Sequence, residues 1–191
     1  RYLSIDCADP VASMKGDVIK YAGRTFTRAD IKSGKVSLAR ALMSDVLEID
    51  ILKFTVKSHD ATLLQFRRDA PLTYFHDGLQ IGTYYIQRIE RVGKASYQFN
   101  TVSAIGTFTE VDHYGGIYPG QTVVEVVSDI CGSTPHYVKT NLQNIKLYGY
   151  LPIATRRENL SQVLFAIGAT VKVDMNGYLR IEGLWDGGSA T

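Results

Sequence analysis

The sequence predicts an α+β fold that is mainly β, with an antiparallel β-barrel-like domain followed by a small α+β domain. Twelve tyrosines and seven phenylalanines, with many Val, Ile and Thr, lie in short alternating runs between Gly, Asp and Asn, which is typical of β-structure. Two capping boxes after residue 120 mark helix starts. We therefore expect the β-barrel-like domain over residues 1–118, and the α+β domain, with two helices and a hairpin, over residues 119–191.

Short strands open the predicted first domain. Residues 17–21 (DVIKY), followed by Gly23, indicate a strand and a turn. Residues 25–27 and Ile31 are shorter extended pieces, and the apolar alternation becomes clearer from Lys35 onwards.

A meander of long antiparallel strands is predicted for residues 47–105. Apolar residues alternate with acidic ones from residue 47 to 51, and the alternation resumes after a one-residue slip near residues 52–53. Such a slip within a strand predicts a β-bulge or a sharp bend. We place three further strands at residues 72–75, 81–92 and 97–105. The turn at residues 76–78 (HDG) separates the first of these from the second. Long strands whose edges need closing favour a small barrel or a strongly curled sheet.

Two helix starts are marked by a threonine followed, three residues later, by a glutamate. Thr122 with Glu125 and Thr155 with Glu158 match the capping box, in which the two side chains bind backbone amides that the helix leaves free. We therefore predict helices over about residues 122–131 and 155–168. The apolar face of the second helix is Leu160, Val163, Leu164 and Ile167.

The segments around these helices are predicted from their turn residues. Residues 113–120 (HYGGIYPG) are rich in Gly and Pro and indicate a linker or crossover, and residues 145–148 indicate a short strand. Gly168 suits the end of the second helix. Asn176-Gly177 suits a tight turn, so we predict a hairpin over about residues 170–183.

The bulk composition is that of an ordinary globular protein. The hydrophobic share is 45%, the charged share is 21%, and the formal net charge of +2 is too small to indicate nucleic acid or anionic lipid as a partner. No apolar run approaches the ~20 residues of a membrane-spanning helix. Cys7 and Cys131 lack any pairing motif and are expected to be reduced thiols. Leu184-Trp185 followed by DGGSAT indicates a frayed or cut end, so we expect a piece of a longer protein.

The residues that could carry chemistry each have a simpler structural interpretation. His59, His76, His113 and His136 lack zinc-site spacing and fall in predicted turns or loops. Cys131 and His136 invite comparison with a thiol peptidase dyad, but they flank one loop. Residues 174–177 (DMNG) imitate the opening of a calcium loop, although no glutamate stands at the twelfth position, which favours a hairpin turn.

Acidic and basic residues leave further alternatives open. Glu48 and Asp50 share the polar face of a predicted strand, and Glu48 or Glu90 could act as an acid in glycoside cleavage. Two basic pairs stand at residues 67–68 and 156–157. The second lies in the first turn of a predicted helix, where positive charge is mildly unfavourable, and it is either solvated or binds an outside carboxylate. Asn159 heads a glycosylation sequon inside a predicted helix, where it has no expected role. We predict no catalytic, cofactor-binding or metal-binding residues and no cofactor.

Several segments together resemble a known family. They are LEIDILKFTV (47–56), IGTYYIQRIERVG (81–93), YQFNTVSAIG (97–106), GGIYPGQTVVEVV (115–127) and YLPIATRRENLSQVLFAIGATV (150–171). In their order and residue pattern, these segments resemble the tail or baseplate hub proteins of bacteriophages and prophages of Gram-positive bacteria. These proteins form a tail-associated or tail-endopeptidase-like family. The resemblance extends from about residue 17 to residue 184.

The resemblance implies a structural role. Such hubs are homotrimers whose β-barrel domains form a ring that continues the tail tube, with smaller α+β modules supporting it. It implies a protein made in the bacterial cytoplasm and located in the virion tail or baseplate. Its partners would be copies of itself and other tail proteins, without specific nucleic-acid binding or membrane insertion. Because no lytic domain is recognisable here, we expect no enzymatic activity.

Two other functional hypotheses remain open at this stage. One is a cell-wall hydrolase fragment that uses Glu48 or Glu90. The other is a receptor- or carbohydrate-binding β-module of a tail tip.

Overall fold

A curled antiparallel sheet of eight strands contains most of the first half of the chain, in the order β1-β4-β5-β8-β7-β6-β2-β3. The computed structural model of the protein describes residues 3–4, 16–38 and 47–184. The strands of this sheet are β1 (Leu3–Ser4), β2 (Val18–Tyr21), β3 (Arg24–Phe26), β4 (Ile31–Leu38), β5 (Ile51–Lys57), β6 (Pro71–His76), β7 (Leu79–Gly93) and β8 (Ser96–Val102). A 3₁₀ turn at Ala61–Leu64 connects β5 to the β6–β7 hairpin. The predicted α+β, mainly β class is confirmed.

The turn between β6 and β7 is the tight hairpin expected from its sequence. His76 pairs with Leu79, which leaves a two-residue loop. Asp77 and Gly78 have φ angles of 47° and 81°. Positive φ at both central residues defines the type I′ turn, whose twist matches that of antiparallel strands.

Phe99 lies at the centre of the core of this sheet. Its ring stacks on Phe54, the residue opposite on β5, with centroids 4.7 Å apart, and meets the edges of Tyr21 and Phe26. Offset and edge-on aromatic pairs stabilise a core beyond the burial of their area. The other buried members of the core are Ile19, Ile31, Leu52, Val56, Leu63, Leu72, Tyr84, Ile86, Ile89 and Tyr97.

Two predictions about these strands are wrong. Strand β5 starts only at Ile51 and pairs with β8 residue for residue, so there is no bulge near residues 52–53. The register shift occurs instead in β4, between Ile31 and Ser33. The last predicted strand also ends early, at Val102, because the chain turns into a short helix that buries Ile105.

The rest of the described chain alternates short strands and helices. The helices are α1 (Ala104–Thr107), α2 (Val123–Cys131), α3 (Thr140–Gln143) and α4 (Arg156–Ala166), with a 3₁₀ turn at Phe108–Glu110. The strands are β9 (Asp112–His113), β10 (Gly116–Thr122), β11 (His136–Val138), β12 (Lys146–Leu151), β13 (Ala154–Thr155), β14 (Ala169–Val173) and β15 (Leu179–Gly183). They form the sheets β10-β12, β13-β9 and β11-β15-β14.

Both predicted capping boxes are confirmed. The backbone amides of Glu125 and Glu158 donate to the hydroxyls of Thr122 and Thr155, and each glutamate accepts from the backbone amide of its threonine. These reciprocal bonds satisfy amides at the helix start that would otherwise lack a partner. Of the apolar face predicted for α4, Leu160, Val163 and Leu164 are buried, and Ile167 is half-buried just beyond the helix.

The segment predicted as a linker at residues 113–120 is largely β-structure. Strand β10 pairs antiparallel with β12, with a register shift between Pro119 and Gln121. Strand β11, which the sequence did not indicate, pairs in parallel with β15.

The β14–β15 hairpin has a longer turn than Asn176-Gly177 predicts. Val173 pairs with Leu179, and the amide of Asp174 donates to the carbonyl of Tyr178, which leaves three residues in the loop. Only Gly177 among them has a positive φ, 84°. A three-residue loop with glycine in the left-handed region is a common alternative to the two-residue turn.

The described residues pack as two compact units. The first contains residues 3–4, 16–38, 48–103 and 175–177, and the second contains residues 47, 104–174 and 178–184. Folding of residues 1–118 and 119–191 as independent domains stays a prediction.

Candidate assembly surface

His76 is paired with a buried carboxylate in the first unit. Its Nδ1 donates to Oδ1 of Asp17 at 2.5 Å, and the hydroxyl of Tyr74 donates to the same oxygen at 3.0 Å. The hydrogen bond to Asp17 raises the pKa of His76 above its usual value, and Asp77, 3.6 Å away, adds a smaller effect. When protonated, this histidine balances the charge of Asp17, which is 3% exposed.

His113 is a buried structural histidine in the second unit, not the loop histidine expected. Asn159 donates from Nδ2 both to the carbonyl of Pro152 and to Nδ1 of His113. Since Nδ1 accepts, the ring proton is on Nε2, which donates to Oδ2 of Asp129 at 3.1 Å. The hydroxyl of Tyr118 donates to the same carboxylate oxygen.

Cys131 and His136 do not form a dyad. Cys131 is a buried free thiol, and burial raises its pKa to about 12. His136 donates from Nδ1 to the carbonyl of Thr134 and accepts at Nε2 from the hydroxyl of Ser128. A thiol that stays protonated at neutral pH is not a nucleophile. Cys7 lies outside the described residues.

The calcium-loop imitation at residues 174–177 is a hairpin turn. Asp174 accepts from the amide of Tyr178 and from the guanidinium of Arg180 at 3.0 Å. Within the described ranges, no three His, Cys, Asp or Glu side chains come together as a group that could hold a metal ion. His59 is exposed at the surface of the first unit.

The acidic residues considered for glycoside cleavage do not share one strand face, and Glu48 has a buried carboxylate oxygen without a hydrogen-bond partner among the described residues. Glu90, on β7, pairs with Arg88 at 2.7 Å, and the two side chains are 35% and 70% exposed. Glu48 and Asp50 precede β5 and do not belong to a strand, so the predicted polar face that would hold them together is absent.

The basic pair that starts α4 binds backbone carbonyls within the second unit. Arg156 donates from Nη1 to the carbonyl of Cys131 at 3.3 Å, and Arg157 donates from Nε to the carbonyl of Leu47 at 2.8 Å. Burial lowers the pKa of Arg157. Both arginines are half-buried, so the pair is not simply solvated, and binding of an outside carboxylate stays a prediction. In the other pair, Arg68 donates to Gln87 and Arg67 is exposed.

The most unusual surface of the second unit is an apolar face of the two-stranded β10–β12 sheet. Ile117 pairs with Tyr150, and Pro119 pairs with Tyr148. Since side chains alternate between the faces of a strand, these four point to the same side. All four are exposed, with Ile117 at 78%, Tyr148 at 74% and Tyr150 at 66%. We call these four residues the ribbon face.

Two further exposed apolar residues lie between the β10–β12 and β9–β13 pairings. His113 pairs with Ala154, and Gly116 pairs with Leu151, so Tyr114 and Ile153 occupy facing positions between these pairs. Tyr114 is 82% exposed and Ile153 is 71% exposed. Adjacent exposed apolar side chains such as the four of the ribbon face mark sites of interaction on soluble proteins.

The opposite side of the ribbon covers the helices of the second unit. Leu151 is buried there, and Tyr118 and Leu147 border a groove with Val126 of α2 and Val163 of α4. The groove has a volume of about 200 Å³. Typical small-molecule sites hold about 300–1,000 Å³, so this groove is too small for such a ligand.

Sequence reasoning missed the ribbon face because half of it lies in the segment that was predicted as a linker. The spacing of Tyr148 and Tyr150, with a glycine between them, is the signal that could have located it.

Comparison with solved structures finds the same fold in tail proteins. The 43 kDa tail protein of prophage MuSo2 from Shewanella oneidensis matches 87% of this chain with a TM-score of 0.59 and 17% identity. The tail protein from Neisseria meningitidis MC58 matches 87% with a TM-score of 0.64 and 14% identity. The prophage tail protein gp18 from Listeria monocytogenes EGD-e matches 88% with a TM-score of 0.61 and 11% identity.

The chain spans about half the length of these proteins, covering 55%, 49% and 50% of theirs. No protein-family model and no curated protein sequence matches it. At these identities the likeness shows a shared fold.

Proposed function

We propose that this protein is a structural component of a phage tail or of a related contractile injection device, and that it acts by assembly. The observation that carries the proposal is the fold shared over 87–88% of the chain with three proteins that are all named as tail proteins. The segment order that resembles tail hub proteins supports the same conclusion independently of the structure.

The chemistry of the described residues favours assembly over catalysis. Several side chains that could act as acids or bases are held in structural bonds: His113 by Asn159 and Asp129, His136 by Ser128, and Glu90 by Arg88. The apolar ribbon face, in contrast, is open to a partner. We therefore propose a protein without enzymatic activity, for which a partner surface is the functional feature.

More specifically, we propose a subunit of the hub at the tail tip, working as a homotrimer next to other tail or baseplate proteins. The protein is made in the bacterial cytoplasm and becomes part of the virion tail. A ring of this kind needs rigid subunits, which the well-packed aromatic core around Phe99 would provide. A Gram-positive host stays a prediction from the sequence alone. None of the helices in the described ranges has the length and apolar character to cross a bilayer.

The experiment is to add an epitope tag to the gene in the bacterium that carries it and to induce particle production. Purified particles are labelled with gold-conjugated antibody and examined by electron microscopy. We expect gold at one end of the tail and, in a strain that lacks the gene, no complete tails. Complete tails without the gene, or gold absent from every tail, would overturn the proposal.

A further inference from the structure

Strand β12 has a free edge among the described strands. It pairs with β10 on one side, and no third described strand joins this sheet. An edge strand directs the N–H and C=O groups of alternate residues away from its partner. Half of the six residues of β12 therefore present these groups on the free side. Backbone donors and acceptors on an open edge are a template for a further strand.

The sequence of β12 does not discourage such pairing, whereas other edge strands do. Strand β10 contains Pro119, with a register shift between Pro119 and Gln121, and the edge strand β14 carries the exposed Lys172. Prolines, bulges and lysines are common means of protecting a sheet edge. Strand β12 (KLYGYL) has its one charged residue, Lys146, at its first position and contains no proline. Gly149 lies inside the strand, where a glycine often marks the close approach of another backbone.

A groove follows this free edge. Its lining includes five consecutive residues of β12, from Leu147 to Leu151. Since neighbouring residues of a strand point to opposite faces, a surface that includes all five runs along the edge of the strand. The remaining lining residues are Tyr118 of β10, Val126 of α2, and Gln162, Val163 and Ala166 of α4. The groove therefore lies between the free edge of β12 and α4.

The size and charge of the groove limit what can occupy it. Its volume of about 200 Å³ has room for side chains of one extended segment, but not for a helix with a diameter of about 10 Å. A Cβ atom added at Gly149 would meet nothing within 4 Å, so the middle of β12 borders open space. None of the described residues that line the groove is charged, and burying an unpaired charge against them would be costly. The matching occupant is an uncharged segment with apolar side chains at alternate positions.

We infer that an extended, uncharged segment of a neighbouring tail protein binds in this groove as a further strand on the free edge of β12. In this mode of recognition, main-chain hydrogen bonds provide affinity, and the groove selects the alternate side chains. The inference rests on the proposed function for the source of the segment, and it deepens that function by naming the contact surface. The contact joins two different surfaces, so it requires no two-fold symmetry and is compatible with a homotrimer.

The first test uses a synthetic, fluorescein-labelled peptide of about eight residues in which Thr and Val alternate, long enough to span β12. Two control peptides carry methyl groups on the backbone nitrogens of every Val or of every Thr. Because a strand presents the N–H groups of alternate residues on one edge, we expect one of the two controls to bind at least about tenfold more weakly, by fluorescence anisotropy. Equal binding of the three peptides, or no binding of any, would overturn the inference.

The second test places a charge in the groove. Ala166→Glu alters a lining residue, and Phe165→Glu is the matched control, since Phe165 is 83% exposed on the same helix and outside the lining. Both positions are exposed, so the variants should fold, which circular dichroism checks. We expect Ala166→Glu to weaken binding of the unmodified peptide at least about tenfold and Phe165→Glu to leave it unchanged. Equal binding by both variants would overturn the inference.

Hydrogen exchange locates the bound peptide. We expect the unmodified peptide to slow the exchange of backbone amides between Leu147 and Leu151, because a further strand bonds to alternate residues of this edge. Slower exchange confined to other parts of the chain would overturn the inference.

Cross-linking in assembled particles identifies the source of the segment and separates this inference from the proposed function. A photo-cross-linking phenylalanine analogue replaces Tyr148, which lines the groove, or Phe165 as the control. We expect only position 148 to cross-link to a different tail protein. Cross-links from position 148 only to copies of this chain, or none, would overturn the inference and leave the tail function standing. Failure of the original protein to enter tails would overturn the proposed function, while the peptide assays would still decide whether β12 accepts a further strand.

Discussion

Asn159 donates a hydrogen bond from Nδ2 to Nδ1 of His113 at 2.8 Å, and the two side chains are 0% and 7% exposed. The same amide nitrogen donates to the carbonyl of Pro152. Asn159 therefore connects α4 to β9 and to the turn after β12. The sequon asparagine is a buried structural residue, which explains why a polar side chain occupies the inner face of the helix.

Replacing Asn159 should destabilise the second unit strongly. Asn159→Ala leaves His113 Nδ1 and the Pro152 carbonyl without their donor, and each unsatisfied buried group costs about 1–3 kcal/mol. We expect the free energy of unfolding to fall by about 2–4 kcal/mol in urea titrations. Gln162→Ala, at an exposed position of the same helix, is the control and should change stability little. Equal effects of the two substitutions would contradict the structural role of Asn159.

The capping box of α4 should contribute measurably to stability. Thr155→Ala removes the acceptor for the amide of Glu158 and should cost about 1 kcal/mol, whereas Thr155→Ser keeps the hydroxyl and should cost much less. Hydrogen bonds from the backbone amide and side chain of Thr155 lower the pKa of Glu158 below 4.5. The stabilisation that ionised Glu158 contributes is therefore present above pH 4.5, and it is lost as the pH falls through the lower pKa of Glu158 in the folded state. Chemical denaturation is measured from pH 3 to pH 7, a range of about four units that includes the ordinary pKa of a glutamate. The loss in free energy of unfolding caused by Thr155→Ala should become smaller at the acidic end of this range.

His76 should titrate above its ordinary pKa of 6.5, chiefly because of its hydrogen bond to Asp17. The pairing then stabilises the fold fully below pH 6.5, and its contribution is lost as the pH rises through the raised, folded-state pKa. Asp17 and Asp77 are the carboxylates that pair with this ring, and Tyr74 donates to Asp17. NMR titration of the imidazole should show that Asp17→Asn lowers the pKa of His76 clearly and that Asp77→Asn lowers it less. The reverse order would show that Asp77 is the main partner.

Cys131 should be unreactive in the folded protein. Its thiol is buried and its pKa is raised to about 12, so little thiolate forms at pH 8. In a Cys7→Ser variant, whose single thiol is Cys131, a disulfide reagent such as DTNB should release almost no colour until denaturant is added. Rapid release of one full equivalent of the coloured product from the native protein would show instead that the thiol of Cys131 is accessible.

The parts of the fold that were predicted correctly depend on residues close together in sequence. Each capping box, Thr122 with Glu125 and Thr155 with Glu158, completes its hydrogen bonds within four residues, so the sequence alone locates the helix starts. The backbone geometry of the hairpin turn likewise depends only on the neighbours Asp77 and Gly78. The alternation of buried Leu52, Phe54 and Val56 on β5 is likewise local. The register slip predicted next to it came from counting Ile51 as buried, whereas it is exposed just where the strand begins.

The parts that were missed depend on partners that are distant in sequence. Strand β10 is rich in Gly and Pro, and it becomes a strand because β12, which follows α2 and α3 in the chain, pairs with it. The short strand β11 likewise depends on its parallel partner β15. Arg157 has its partner in the carbonyl of Leu47, a group with no sequence signal. The candidate surface shares this property, since its two strands meet only in the folded chain.

The most direct test of the central claim is the composition of purified tails. Quantitative mass spectrometry of particles from the bacterium that carries the gene should find this protein at a constant ratio to the tail tube protein. That ratio should persist through repeated density-gradient purification, as it does for a built-in component. A ratio that falls towards zero with each purification step would show that the protein is not a part of the tail, and the structural function proposed here would be wrong.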